Sequence, residues 1–551
     1  MRRDRIIAIA FAMLLGGCAT TPTMTTPMTT LSTLDLKITN GRILDGTGSP
    51  WFRADLGVRG NEIVAIGDLT NVAATQTIDA GNRIVAPGFI DLLSWAQYAA
   101  ISDPALEPHV RQGITTAIAG EGYSPGPRRP DQLKGDEQWA RLGDYLDQLD
   151  RQGAAINFAL LVGSANPRQM VIGDVNRRAT AEEMQQMEAI VEQAMRDGAV
   201  GISTSLIYVP AMYQPTEELI NFSRIAAKHG GMYFSHIRDE GDRIDAALDE
   251  AFLIGRETGI PVNIWHLKIG GRPNWGKMPA IIAKIAAARA EGLDVSASVY
   301  PYAASSTGLS TLAPDWAMDG GYRAFRKRLQ NPDDRARIAE ALRAQFARRG
   351  ERGIYVSQIF GSAHDQYEKK FIEEIARMMG TTPEEALMTL FAENEISPRV
   401  IYFSMNEDDV RYALRHPFVS VGTDASPPSE QQRTENTSVH PRAYGTFPRV
   451  LGRYSRDEKL FPLEEAVRKI TSQAALRAHI FDRGVLRSGM KADIVIFDPE
   501  KVRDLSTFED PHHYSVGIDD VIVNGVAVLR EGKITGAVPG KSIRGRGYEK
   551  K

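Results

Sequence analysis

The chain is poor in several features that would place it in a common class. It has one cysteine in 551 residues, so no internal disulfide can form. Its charges nearly cancel, with 65 Lys and Arg against 69 Asp and Glu for a formal net charge of −4, and no long basic stripe is present. Electrostatics therefore gives no reason to expect nucleic acid as a partner. The apolar stretch near the amino terminus, Ile6 to Leu15, is too short to span a bilayer. What the chain does have is 43% hydrophobic and 24% charged residues, enough for a large core and more than one globular unit.

Arg2, Arg3 and Arg5 precede the apolar stretch, which is the pattern of an export segment and not of a folded element. Leu15-Gly16-Gly17-Cys18 resembles the lipobox of bacterial lipoproteins, whose cysteine is lipidated and begins the mature chain. The expectation is a signal peptide over 1–18, lipid on Cys18, and a flexible Thr- and Pro-rich tether over 19–33. The mature protein would then sit on the periplasmic side of an envelope membrane, touching it through the lipid alone. The basic tail, Lys541 to Lys551, reads as solvated.

From Leu34 onward, short strand-like runs alternate with glycine turns: Asp35 to Thr39, Ala54 to Val58, Ile63 to Ile66, and Thr77 with Ile78. The same texture returns in Ala492 to Phe497, Val521 to Val523 and Val526 to Leu529, with Asn524-Gly525 as a tight turn. These ends, 34–87 and 481–551, predict one small β domain. Between them, strand-like and helical patterns alternate, which implies βα units around a parallel sheet.

Eight such strands can be read: Gly88 to Leu92, Thr115 to Ala119, Ile156 to Val162, Val200 to Thr204, Met232 to His236, Val262 to His266, Leu293 to Val299 and Phe418 to Gly422. Eight closes a (β/α)8 TIM barrel over 88–480, so the fold class is α/β, with a small β-sandwich domain from both chain ends. Thr180 and Glu183 form a capping box for a helix over Ala181 to Asp197, whose Met184, Met187, Val191 and Met195 make a core stripe. An insertion at about 303–399, helical over Asp333 to Arg349 and Tyr367 to Met379, should sit over the active face and shape the pocket.

His236 and His266 end two of these strands, and Asp424 follows the eighth. A lone histidine in such a run is ordinarily a satisfied core residue. Two of them, one βα unit apart at the face where barrel enzymes place their chemistry and joined by a carboxylate, read as a metal site suited to hydrolysis. His109, His229, His364, His416 and His479 lie in helical or loop contexts without evident partners, and His440, His512 and His513 stay ambiguous.

Several motifs together resemble the N-acyl-D-amino acid deacylase (D-aminoacylase) family of the amidohydrolase superfamily over nearly everything after Leu34. They are APGFID (Ala86 to Asp91), QGITTAIAGEG (Gln112 to Gly122), SHIRDEGDRI (Ser235 to Ile244), WHLK (Trp265 to Lys268), VYPYAASSTGL (Val299 to Leu309), GTDASP (Gly422 to Pro427) and HPRAYGTFPRVLGRY (His440 to Tyr454). RGVLRSGMKADIVIFDP (Arg483 to Pro499) resembles the superfamily's return to its small β domain.

The resemblance implies a zinc ion held by His236, His266 and Glu121, the last standing where the best-known members have cysteine; His2Glu with an open position is a recognised catalytic set. The superfamily's His-x-His after the first strand is replaced here by Leu93 and Trp95, neither of which binds zinc, so one ion is expected and not two. Asp424 would be the general base that moves a proton from water to the departing amine. Lys268, Tyr300 and Arg442 match the positions that bind the substrate carboxylate. Lys268, two residues beyond His266, should point to the same side of the strand.

The implied activity is zinc-dependent hydrolysis of small-molecule N-acyl-D-amino acids. Two alternatives stay open. One is a cyclic-amide hydrolase of hydantoinase or dihydroorotase type, although strand four runs into Ser203-Thr204-Ser205 without the lysine those enzymes carboxylate. The other is a ligand-binding lipoprotein that has lost turnover.

Overall fold

The computed structural model describes residues 33–133, 137, 139–361 and 364–550. The signal peptide, Cys18 and nearly all of the tether lie outside the described residues. Among the described residues no helix is long and apolar enough to cross a membrane.

All eight expected strands form a closed parallel barrel. The first, Phe89–Ser94, pairs with Ile114–Ala119, which pairs with Asn157–Leu160. After a break, Val162–Gly163 carries the third strand onto Gly201–Ser205. Met232–His236, Val262–Ile264, Val295–Val299 and Val419–Val421 complete the ring in order. The eighth strand returns to the first through a Ser94–Ala425 bridge and the bond from Asp424 N to Leu93 O, 2.8 Å.

Alternate residues face inward and fill the barrel. Ile90, Leu92, Ile118, Met232, Phe234 and Trp265 belong to one buried cluster, and Trp265 Nε1 crosses the interior to donate to Leu92 O at 2.9 Å. The barrel is thus plugged below its carboxyl-terminal mouth, which leaves the ring of strand ends as a floor for chemistry.

The eighth strand is laced to the first by a buried carboxylate. Asp91 Oδ1 accepts from Thr423 N at 2.8 Å and Asp91 Oδ2 accepts from Thr423 Oγ1 at 2.6 Å. Burial pushes Asp91 up to about 7, against these bonds. They hold the turn in which Asp424 adopts the left-handed conformation, with φ of 49°.

The two chain ends share one curled nine-stranded sheet, in which Ile84–Pro87 pairs antiparallel with Ile494–Phe497 just before the chain enters the barrel. The expected Asn524-Gly525 turn joins Ile518–Val523 to Val526–Arg530, both turn residues having positive φ. The tail differs from expectation. Ser542–Ile543 pairs with Phe158–Ala159 of the barrel, and Arg544 Nη2 reaches Asp147 Oδ1 at 2.6 Å. Residues 542–545 therefore return to the barrel and not to the small β domain, with Arg544 held by Asp147 and Asp150 of the neighbouring helix, while Lys541, Arg546 and Tyr548 to Lys550 are exposed as expected.

Helix Ala181–Asp197 forms with its Thr180–Glu183 capping box, burying Met187, Val191 and Met195. The insertion folds around its own core, with helices Pro332–Arg349, Ile372–Met379 and Pro383–Glu393 against a four-stranded antiparallel sheet. The helix expected from Tyr367 starts only at Ile372. Lys370 and Phe371 are taken into that sheet, and Glu374 Oε2 accepts from Phe371 N at 2.8 Å to cap the shortened helix.

Thr423→Val removes the hydroxyl donor onto Asp91 and leaves a buried carboxylate short of a partner. Denaturant unfolding should show a loss of about 1–3 kcal/mol, and an unchanged midpoint would mean that the Asp91 tie does not hold the closure.

Candidate metal centre and active site

The loop after strand two delivers a carboxylate into the mouth because glycines flank it. Gly120 and Gly122 have φ of 101° and 63°, and a Cβ on Gly122 would fall 1.8 Å from Ser205 Oγ. Only glycine allows a turn this tight, and it swings Glu121 inward. His236 is the last residue of its strand and rises from the inner face above Phe234. His266 differs from expectation, since its strand stops at Ile264 and the histidine has φ of 35°, a rare value for a non-glycine residue. The alternation argument for Lys268 therefore fails, although its ammonium still reaches the site.

These three side chains converge. Glu121 Oε1 lies 2.7 Å from His236 Nδ1 and 3.1 Å from His266 Nε2, and one ligand atom from each of the three falls within 4.8 Å of the others. All are buried. Burial alone would raise Glu121, but the hydrogen bonds and charges of the two imidazoles hold its carboxyl well below the ordinary range. His266 is opposed by burial and by Lys268, yet Glu240, Asp424 and the bond to Glu121 together push it up to about 9. Two imidazoles and an acid sharing one oxygen, buried and edge to face with ring centroids 4.4 Å apart, form a donor set that fits a divalent zinc-type ion.

Glu240 completes the arrangement and had no role in the sequence reading, although it lies within the SHIRDEGDRI motif. His266 Nδ1 lies 2.9 Å from Glu240 Oε1, and Lys268 Nζ donates to the same oxygen at 2.5 Å. Burial works against ionisation of Glu240, but Lys268 and the two histidines hold it well below its ordinary value. With Nδ1–H directed to Glu240, Nε2 of His266 is left free to face an ion, the usual service of an outer carboxylate to a metal-binding histidine.

Asp424 lines the same cavity with both oxygens engaged. Trp95 Nε1 donates to Oδ1 at 3.2 Å and Arg442 Nη1 to Oδ2 at 2.6 Å, while Arg442 Nη2 donates to Ser306 O at 3.2 Å. Trp95, placed where the superfamily would have a histidine, thus orients the candidate base. Tyr300 is not on the cavity wall. Its hydroxyl donates to Met405 Sδ at 3.5 Å in a small pocket behind His266, and its ring packs under Arg442 at 4.6 Å. A tyrosine that does line the cavity beside the triad is Tyr208, whose ring meets His236 edge-on at 5.4 Å and whose OH lies 2.6 Å from Thr307 Oγ1.

The cavity holds about 1000 Å³ and runs from the strand ends to the insertion. Of the histidines read as lacking partners, four have them away from the triad: His109 Nε2 lies 3.1 Å from Ser94 Oγ, with burial holding it down to about 3, His229 pairs with Glu192 at 2.9 Å, His364 with Glu393 at 2.6 Å, and His479 Nδ1 lies 3.1 Å from Gly230 O. His440 is buried on the cavity wall with Nε2 at 2.9 Å from Ala304 O.

Residues 284–529 match the Amidohydrolase family. The chain is 38% identical to the D-aminoacylase of Alcaligenes xylosoxydans xylosoxydans, covering 92% of this chain and 97% of that one. It is 36% identical to the N-acyl-D-glutamate deacylase of the same organism, over 90% and 94%. A solved N-acyl-D-glutamate deacylase from Bordetella bronchiseptica, complexed with zinc and a phosphonate mimic of the tetrahedral intermediate, superposes with a TM-score of 0.79 at 35% identity, over 93% of this chain and 100% of that one.

The proton on His266 must leave before an ion can use its nitrogen. Below pH 9 the apo protein holds that proton, so apparent zinc affinity, measured by competition with a chelating dye, should fall by up to about tenfold per pH unit on acidification and level off above it. Affinity that does not vary between pH 6 and 8 would exclude His266 as a ligand.

Proposed function

This chain belongs to the D-aminoacylase group of the amidohydrolase family, and we propose that it hydrolyses the amide bond of N-acyl-D-amino acids, releasing a carboxylate and a D-amino acid, with one zinc ion held by Glu121, His236 and His266. The observation that carries the reading is the convergence of one Glu121 oxygen on both imidazoles, at the rim of a cavity that Asp424 also lines. The ion, when bound, supplies a Lewis acid that polarises the scissile carbonyl and acidifies water.

The chain's own residues supply the rest. Asp424 accepts a proton from the attacking water and passes it to the nitrogen of the breaking amide, which leaves only as a protonated amine. Trp95 and Arg442 fix the plane of its carboxylate by bonding one oxygen each. Lys268 and Arg442 place positive charge where the α-carboxylate of the substrate would lie, and Tyr208 adds a hydroxyl. Leu93 is buried in the barrel core and Trp95 is committed to Asp424, which supports a single ion. Strand four ends at Ser203-Thr204-Ser205, with the Ser203 hydroxyl engaged by Gly120 O and Gly122 N, so the lysine that a cyclic-amide hydrolase would carboxylate has no counterpart there.

The proposed setting is the periplasmic face of an envelope membrane, with lipid on Cys18 as the only membrane contact. The support is sequence alone: the arginines, the short apolar stretch and the Leu15-Gly16-Gly17-Cys18 run.

Asp424→Asn should keep stoichiometric zinc while lowering kcat by about 10²–10⁴-fold, measured as amine released from a panel of D and L acyl amino acids by metal-quantified protein. Turnover near wild type would remove Asp424 from the proton path. In cells, Cys18→Ala should move the protein from the membrane pellet to the soluble fraction; wild-type protein that is already soluble would refute the anchor.

A further inference from the structure

The cations around the cavity are almost all neutralised. Arg238 pairs with Glu250 at 2.8 Å, Arg243 with Asp239 at 3.2 Å, Lys268 with Glu240 at 2.5 Å, Arg348 with Asp242 at 2.6 Å and Arg442 with Asp424 at 2.6 Å. Arg399 is exposed to water.

Arg349 is the exception. It ends the long insertion helix Pro332–Arg349 and lines the cavity, yet among the described residues no carboxylate pairs with it. Its Nη1 donates to the neutral amide oxygen of Gln345 at 2.5 Å, and its Nε is buried with no partner. Tyr402 lies under its guanidinium at 4.6 Å, which holds the plane and leaves an edge free. Burial, with Arg348 close by, pulls Arg349 below its ordinary value, as expected for an under-compensated cation. Arg349 is half-buried, and its shielded, unmet Nε is destabilising unless an anion meets it.

Its placement relative to the chemistry is fixed by one strand. Ser305–Gly308 pairs with Arg399–Tyr402, setting Tyr402 opposite Ser305, while Arg442 bonds to Ser306 O. Arg442 and the support of Arg349 therefore belong to adjoining positions of one small sheet, with Arg442 at the catalytic end.

We propose that Arg349 binds a second carboxylate of the substrate, distinct from the α-carboxylate and carried at the far end of the molecule. The inference rests on the deacylase reading and narrows it to dianionic N-acyl-D-amino acids. Sequence identity does not make this choice, because D-aminoacylase and N-acyl-D-glutamate deacylase match at 38% and 36%. The second carboxylate can lie on the amino acid side chain or on the acyl group, and the bidentate fork of arginine suits either.

The test uses zinc-loaded wild-type enzyme with N-acetyl-D-leucine, N-acetyl-D-glutamate and N-succinyl-D-leucine. At least one dianion should exceed N-acetyl-D-leucine by about tenfold in kcat/KM, and which one shows where the second carboxylate lies. Arg349→Met should erase that advantage mainly through KM, leaving N-acetyl-D-leucine within about twofold of wild type, and Arg349→Lys should restore part of it. Preference for N-acetyl-D-leucine in the wild type, or an equal loss on all three substrates in Arg349→Met with zinc content intact, overturns the proposal while leaving the deacylase reading standing. No hydrolysis of any of the three by wild type overturns both. The wild-type comparison needs no variant, so misfolding of a substituted protein does not remove the test.

Discussion

A single buried oxygen, Glu121 Oε1, holds the centre of this molecule together. Two imidazoles from different strands direct nitrogens at it, and the bond distances of 2.7 and 3.1 Å leave the three groups arranged around one point. Three such side chains can be gathered only where strands two, five and six end in the same plane, and a closed parallel barrel imposes that condition. In water the two histidines and the acid would be independent titrating groups. Here the acid is held ionised by its neighbours despite burial, and that is the state in which it can serve as a ligand.

Around this point the polar groups are arranged in pairs, so that each group with a proposed part in the chemistry is oriented by another. Glu240 turns His266 and restrains Lys268, and Trp95 with Arg442 turns Asp424. Pairing lowers the cost of burying charge and removes rotational freedom that a reacting group would otherwise have to lose. It also means that a substrate carboxylate must share Lys268 and Arg442 with acids already in place. Arg349, contributed by the insertion, is the half-buried cavity cation free of that competition, Arg399 being exposed, which gives the insertion a part in recognition as well as in covering the mouth.

The eighth strand shows how the scaffold and the site are coupled. Asp91 belongs to the first strand and binds both the backbone and the hydroxyl of Thr423, the residue before the proposed base. Closing the barrel and aiming Asp424 are therefore one event. The left-handed φ of 49° at Asp424 is maintained by these bonds and by the bond to Leu93 O.

The strands, the Ala181–Asp197 helix and the candidates His236, His266 and Asp424 were legible in the sequence because apolar periodicity, caps and strand-end positions are local properties; Glu121, in a loop beyond its strand, was marked only by the family resemblance of its motif. Three features were not. Tyr300 read as a substrate hydroxyl but lies behind His266, since a rotamer depends on what packs against it. Glu240 and Tyr208 carried no local signal, because an acid and an aromatic in a loop look alike whether or not a histidine faces them. The docking of the tail was hidden because Arg544 meets its acids about 400 positions away, with Arg544 and Asp147 separated by 397. Sequence alone thus determined which residue types stand at the strand ends, because backbone pattern is written over a few neighbours. Only the tertiary structure decided which charges are neutralised and which, like Arg349, are left open, because Coulomb and hydrogen-bond partners are set by distances of a few ångströms between residues far apart along the chain.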